Sequence, residues 1–223
     1  MNFFDTLKNE TAQERAGLFA APIIIEALSG KVTLNDYVAF LTEAYHHVKH
    51  TVPLLMAVGS RLPGESEWLR EAVAEYIEEE LGHQEWILND IAACGFDKEV
   101  VRNGSPSQAT ELMVSYAYDT INRVNPMGFF GMVHVLEGTS ISLADNAADT
   151  IRESLSLPKT AFSYLYSHGS LDIEHVKFFE ELMNRLDNQQ DQAQIIHSAR
   201  VFYKLYGDIF RSLNTDYEIS VAA

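Results

Sequence analysis

The chain has 223 residues, of which 47% are hydrophobic and 22% charged, the proportions of one large domain with a sizeable core rather than of a disordered or fibrous protein. Lys and Arg number 16 against 32 Asp and Glu, and the resulting formal charge of -16 repels nucleic acid and anionic membrane surfaces, which argues against polyanionic partners. One cysteine, Cys94, excludes an intrachain disulfide; the first residues lack a basic start followed by an apolar run, and no stretch reaches the ~18 apolar residues of a membrane span, so a cytoplasmic setting is expected.

In chain order the pattern reads as helix after helix, with Pro and Gly at most of the joints. A first helix should run to Leu28, stopped by Ser29-Gly30 and bent or broken at Pro22. Thr33 or Asn35 can cap a second, carrying Tyr37, Phe40, Leu41, Tyr45 and Val48 and continuing, with a kink, past Pro53 to Leu62. After Pro63-Gly64 a third is predicted over 67–93, closed by Cys94-Gly95. A looser stretch over 96–107 leads to a fourth over 108–123, and Asn125-Pro126 opens a fifth over 127–155. Leu157-Pro158 precedes a sixth over 162–185; a last helix spans 190–213, and the tail over 215–223 is expected to be flexible. With no strand, repeat or dividing linker, residues 1–223 read as one all-α domain, a bundle of about seven helices.

The sixth helix carries His168, Asp172 and His175, and at about 100° per residue positions i, i+4 and i+7 share one face. Apolar Phe162, Leu165, Phe178, Phe179 and Leu182 recur around them, so two imidazoles and a carboxylate belong to a largely buried helix. The third helix offers Glu80 and His83 in the Glu-x-x-His spacing that dimetal carboxylate sites place on bundle helices, with Glu79 as the competing carboxylate. The fifth supplies Glu137, an acid among apolar residues that calls for a cation or a proton. Taken singly, any of these is a satisfied core group. Together they make three carboxylates and three imidazoles, which balance most of the charge of two divalent ions and suit iron or manganese.

Around this set stand weaker candidates. Glu43 and His46 repeat the Glu-x-x-His spacing. His134, three residues before Glu137, either orients that carboxylate or is a core histidine. Tyr76 and Tyr164 lie one turn before Glu80 and His168, where they can line a pocket; Phe129, Phe130, Met132 and Trp86 would give it apolar walls.

The order of these motifs, in the segments EEELGHQEWILNDIAACG, GMVHVLEGTS and SHGSLDIEHVKFFEEL, resembles the haem-oxygenase-like dimetal oxidases, relatives of the TenA and PqqC proteins. That resemblance implies a seven-helix haem-oxygenase-like fold that binds two iron ions (or manganese) without haem, activates O2 and oxidises a small organic molecule. By the same resemblance Glu80, His83, Glu137 and His168 would hold one ion, Asp172 and His175 the second, with Glu137 as a bridge, and the helix of Glu43 and His46 would be a pocket wall. Two departures matter. Residues 18–22 contain no histidine for haem, and Cys94 closes a helix rather than presenting a nucleophile. The alternatives are a metal-free hydrolase or cofactor-less oxidase of the TenA or PqqC kind, and a non-catalytic carrier whose carboxylates pair with Lys or Arg. A homodimer is expected, since exposed apolar helix faces in such bundles commonly pair.

Overall fold

The computed structural model describes residues 2–213, and for 168–174 it describes the backbone alone. Every regular element among the described residues is helical. The expectation of a tail over 215–223 lies outside them.

The all-α class is as expected, but the described chain divides into more helices than seven. The first expected helix is three: α1 (Phe3–Glu10), α2 (Ala12–Phe19) and α3 (Pro22–Leu28). Of the bend or break expected at Pro22, the break is what is found: Pro22 starts α3, because its fixed φ suits the first helical position while it holds Ala21 in an extended conformation. Of the two candidate caps for α4 (Leu34–Val48), Thr33 is the one used, in a capping box: its hydroxyl accepts from the Asp36 N–H, and the Asp36 carboxylate accepts from the Thr33 N–H. The chain turns at Lys49-His50 before α5 (Thr51–Arg61).

The expected long third helix is also split, into α6 (Leu69–Glu80) and α7 (His83–Ala93). Gly82 has φ +93, a left-handed conformation that a residue without Cβ adopts freely, and it stops one helix and starts the next. The stretch expected to be loose contains a short α8 (Lys98–Asn103). Then come α9 (Gln108–Asp119), a π-helical turn over Thr120–Val124, α10 (Phe129–Leu155), α11 (Ser163–Asn184) and α12 (Gln189–Ser212).

The core gathers around α10. It packs on α12 at very short range: a Cβ on Gly131 would lie 2.6 Å from the Ala199 nitrogen and 2.7 Å from the Ile195 oxygen, so only glycine allows the two backbones to meet there. Phe130, Phe162, Phe179, Phe202 and Tyr203 are among the largest fully buried side chains of the interior. Two buried carboxylates set helix starts from neighbouring helices. Asp90 of α7 accepts from the Ser163 and Tyr164 N–H groups at 3.0 and 2.8 Å and from the Ser163 hydroxyl, and so fixes the beginning of α11. Glu43 of α4 accepts from the Ser107 N–H and hydroxyl and from the Thr110 hydroxyl, doing the same for α9. Among the described residues no helix is long and apolar enough to cross a membrane.

Candidate metal centre and its cavity

Helices α3, α4, α5, α10, α11 and α12 enclose a cavity of about 180 Å3, reached by the end of α6 through Tyr76 and Glu80. Its walls are mainly aliphatic and aromatic, including Ile24, Leu55, Phe129, Met132, Leu143 and Phe210. Into this apolar space come two carboxylates, Glu80 from the last residue of α6 and Glu137 from the middle of α10. His47, Tyr164 and Tyr206 add polar edges.

Each of the two described imidazoles of the expected ligand set meets a carboxylate. His83 Nδ1 lies 3.0 Å from Glu80 Oε2, and His175 Nε2 lies 2.9 Å from Glu79 Oε2; both histidines are buried. Although Glu80 and His83 belong to different helices, the glycine turn spans only two residues and keeps the side chains together. Glu79, set against Glu80 as a rival in the sequence, has its own partner in His175. The Trp86 ring stacks on His83 with centroids 4.0 Å apart, and the Tyr76 ring lies edge-on to His175 at 6.1 Å. Both contacts limit how these imidazoles can turn.

The side chains of His168 and Asp172 lie outside the described residues. Among the described residues no group of three His, Cys, Asp or Glu side chains could by itself hold a metal ion. What the structure brings to one region is therefore Glu79, Glu80, His83, Glu137 and His175, with Tyr76 and Tyr164 beside them.

The remaining candidates sit elsewhere. Glu43 is fully buried in its cap on α9, and His46 lies with Nδ1 3.1 Å from Lys49 Nζ; neither borders the cavity, which α4 lines instead through Asp36, Tyr37, Phe40, His47 and Val48. Burial, reinforced by Lys49, pulls the His46 pKa down to about 4. His134 does not orient Glu137: its Nε2 is 3.4 Å from the Thr11 hydroxyl and its ring packs among Phe4, Phe179 and Tyr203. It is a core histidine, held by burial at a pKa of about 4. Of the expected apolar walls, Phe129 and Met132 line the cavity while Phe130 and Trp86 do not.

Two residues that matter here were not singled out from the sequence. Asp90, seven residues after His83 and so on nearly the same face of α7, positions α11, and an acid between apolar Leu88 and Ile91 was the available signal. Thr139 borders the cavity, but nothing in its local sequence marks it.

No curated protein matches the sequence. Among solved structures the fold is similar to a domain of unknown function with a haem-oxygenase-like fold from Shewanella denitrificans, with TM-score 0.86 and 24% identity, covering 100% of this chain and 99% of that one. A TenA homologue from Pseudomonas syringae follows with TM-score 0.78, 12% identity and coverage of 96% and 93%. The haem oxygenase of Leptospira interrogans matches with TM-score 0.75, 17% identity and coverage of 95% and 100%. These likenesses establish a haem-oxygenase-like fold. The family model described as iron-containing redox enzyme matches residues 38–207, a span that includes most of α4 and both Glu–His contacts, and the chain belongs to that family.

Proposed function

We propose that the chain is a non-haem di-iron oxidase that uses O2 to oxidise a small apolar molecule bound in the cavity. The observation that carries this reading is the presence of two carboxylates, Glu80 and Glu137, in the wall of an otherwise apolar cavity, with His83 in contact with Glu80. Carboxylates brought into such surroundings favour a cation, and mixed carboxylate and imidazole donors suit iron. Glu80, His83, Glu137 and His168 would hold one ion and Asp172 and His175 the other, the assignments of His168 and Asp172 resting on the family resemblance. Iron held there would supply the activation of O2, which accepts the electrons that the substrate gives up.

The chain's own residues do the rest. Trp86 and Tyr76 fix the rings of His83 and His175, Asp90 holds the start of the helix that carries His175, and the apolar walls exclude water from the bound substrate. Residues Ile23, Ile24, Ala27 and Leu28 of the N-terminal helices face the cavity and include no imidazole, which favours the non-haem reading. A thiol-dependent hydrolase of the TenA kind is disfavoured, because Cys94 does not border the cavity and burial pushes its pKa up to about 12, leaving it protonated at neutral pH.

Metal analysis after anaerobic loading with Fe(II) tests the proposal. About two irons per chain are expected for the unmodified protein, and His83→Ala and Glu137→Ala should each lose at least tenfold in iron affinity. Iron content unchanged by both substitutions, or no iron bound at all, would overturn it.

A further inference from the structure

Glu79 and Glu80 end α6 side by side, yet they serve different neighbours. Successive residues of a helix point about 100° apart, so a helix that stops here sends its last two carboxylates in different directions. Glu80 borders the cavity and lies 3.0 Å from His83 at the start of α7, while Glu79 lies 2.9 Å from His175 in the middle of α11. Three helices thus present two pairs, each of one carboxylate and one imidazole.

Both separations fit a hydrogen bond, and both also fit two donors that share an ion. Bonds of about 2.1 Å at right angles, as in octahedral coordination of a divalent ion, put neighbouring donors about 3.0 Å apart. Donor number and charge decide between the two. Under the proposed function one ion receives four side chains, Glu80, His83, Glu137 and His168, while the other receives Asp172 and His175 and a share of Glu137. Three carboxylates leave one positive charge of two Fe(II) ions without a counterpart, at a site whose cavity walls are mainly apolar and where such a charge is costly. A fourth carboxylate completes the balance, and four carboxylates with imidazoles are the complement that di-iron helix bundles use. Glu79 is already in contact with a side chain assigned to the less well supplied ion.

The exposure of the two partners agrees with this. The His175 side chain is 9% exposed and has the Tyr76 ring beside it, which holds it in place, whereas the Glu79 side chain is 42% exposed. An ion bound between them is open to water on the Glu79 side and is the more exchangeable of the two.

We propose that Glu79 is a ligand of the second ion and binds it together with His175, so that the end of α6 serves both halves of the centre, Glu80 the first ion and Glu79 the second. This rests on the di-iron reading and adds to it a residue that the family resemblance does not assign to either ion.

The test is an anaerobic Fe(II) titration against a chromogenic chelator, run on the unmodified full chain and on Glu79→Ala, Glu79→Gln and Glu78→Gln. Glu79→Gln keeps an acceptor oxygen for the His175 N–H and removes the charge, whereas Glu78→Gln removes the same charge from the exposed face of the same turn. The unmodified protein and Glu78→Gln should each take up two irons. In both Glu79 variants the first iron should bind within about twofold of the unmodified protein and the second at least tenfold more weakly.

A second iron held by Glu79→Gln as tightly as by the unmodified protein would overturn the proposal and leave the di-iron reading standing; a deficit confined to Glu79→Ala would then make Glu79 an orienting partner of His175. Equal weakening in Glu78→Gln and Glu79→Gln would also overturn it, because net charge and not ligation would be the cause. An unmodified protein that binds no iron defeats the di-iron reading itself, and this inference with it.

Discussion

His134 is held neutral by its neighbours, and that has a sign that can be measured. Burial chiefly, then the positive charges of Arg15 and Lys8, lowers its pKa from 6.5 to about 4. Above the unfolded value both states are neutral and the histidine is indifferent to pH. As pH falls below 6.5 the unfolded chain takes the proton first, so stability is lost down to about pH 4 and levels off below it. At 1.36 kcal/mol per unit the loss reaches about 3 kcal/mol, undiscounted because the residue is 8% exposed. Urea unfolding between pH 7.5 and 4.5 should therefore give a steeper decline for the unmodified protein than for His134→Leu. Parallel declines would show that this histidine protonates in the folded state. From the sequence, its place three residues before Glu137 fitted a role in orienting that acid as well as it fitted the core. The deciding contacts come from Phe4 and Thr11 at the other end of the chain, and helix spacing does not report such neighbours. Glu80 and His83 were legible for the opposite reason. Three residues of separation keep two side chains close on a continuous helix and across a tight glycine turn alike, so the pair survived an error about the helix that carries it.

Two glycines of α10 test the helix packing against each other. Gly131→Ala must push its new methyl group into the backbone of α12 near Ile195 and Ala199, and the resulting overpacking should cost about 3 kcal/mol. Gly138→Ala meets nothing within 4 Å and should gain about 0.5–1 kcal/mol from the smaller entropy of the unfolded chain. Chemical denaturation of both variants checks the pair; a neutral Gly131→Ala would mean that α10 and α12 do not approach as closely as the structure has them. Most helices were readable because their apolar residues recur at the helical period and Pro or Gly marks many ends. The joints that escaped notice are those where punctuation is weak or ambiguous. Thr11 separates α1 from α2 with no Pro or Gly at the break, and Gly82, inside a helical pattern, is a residue that a helix can also tolerate. What fixes α11 in place was beyond local reading, since its first turn is capped by Asp90 from another helix.

For the molecule as a whole the dominant electrostatic fact is the surplus of 16 negative charges. Local ion pairs oppose it: Arg102 joins Glu85 and Glu99, Arg200 joins Glu10 and Glu14, and Arg123 joins Asp119. Exposed pairs of this kind contribute about 0–1 kcal/mol each and are themselves weakened by salt. The balance between the two is decided by range. A folded chain of this length has a radius of gyration of about 17 Å. The screening length is about 30 Å at 0.01 M salt, so each carboxylate feels the whole surplus, and about 8 Å at 0.15 M, where it feels only its neighbours. Adding salt should thus relieve the net repulsion while leaving contact pairs at 2.7–3.1 Å much less affected. The unmodified protein, freed of metal, is expected to melt a few degrees higher in 0.15 M than in 0.01 M sodium chloride, as followed by circular dichroism. A midpoint that falls with salt would mean that the ion pairs, and not the net charge, govern how this acidic bundle responds to its medium.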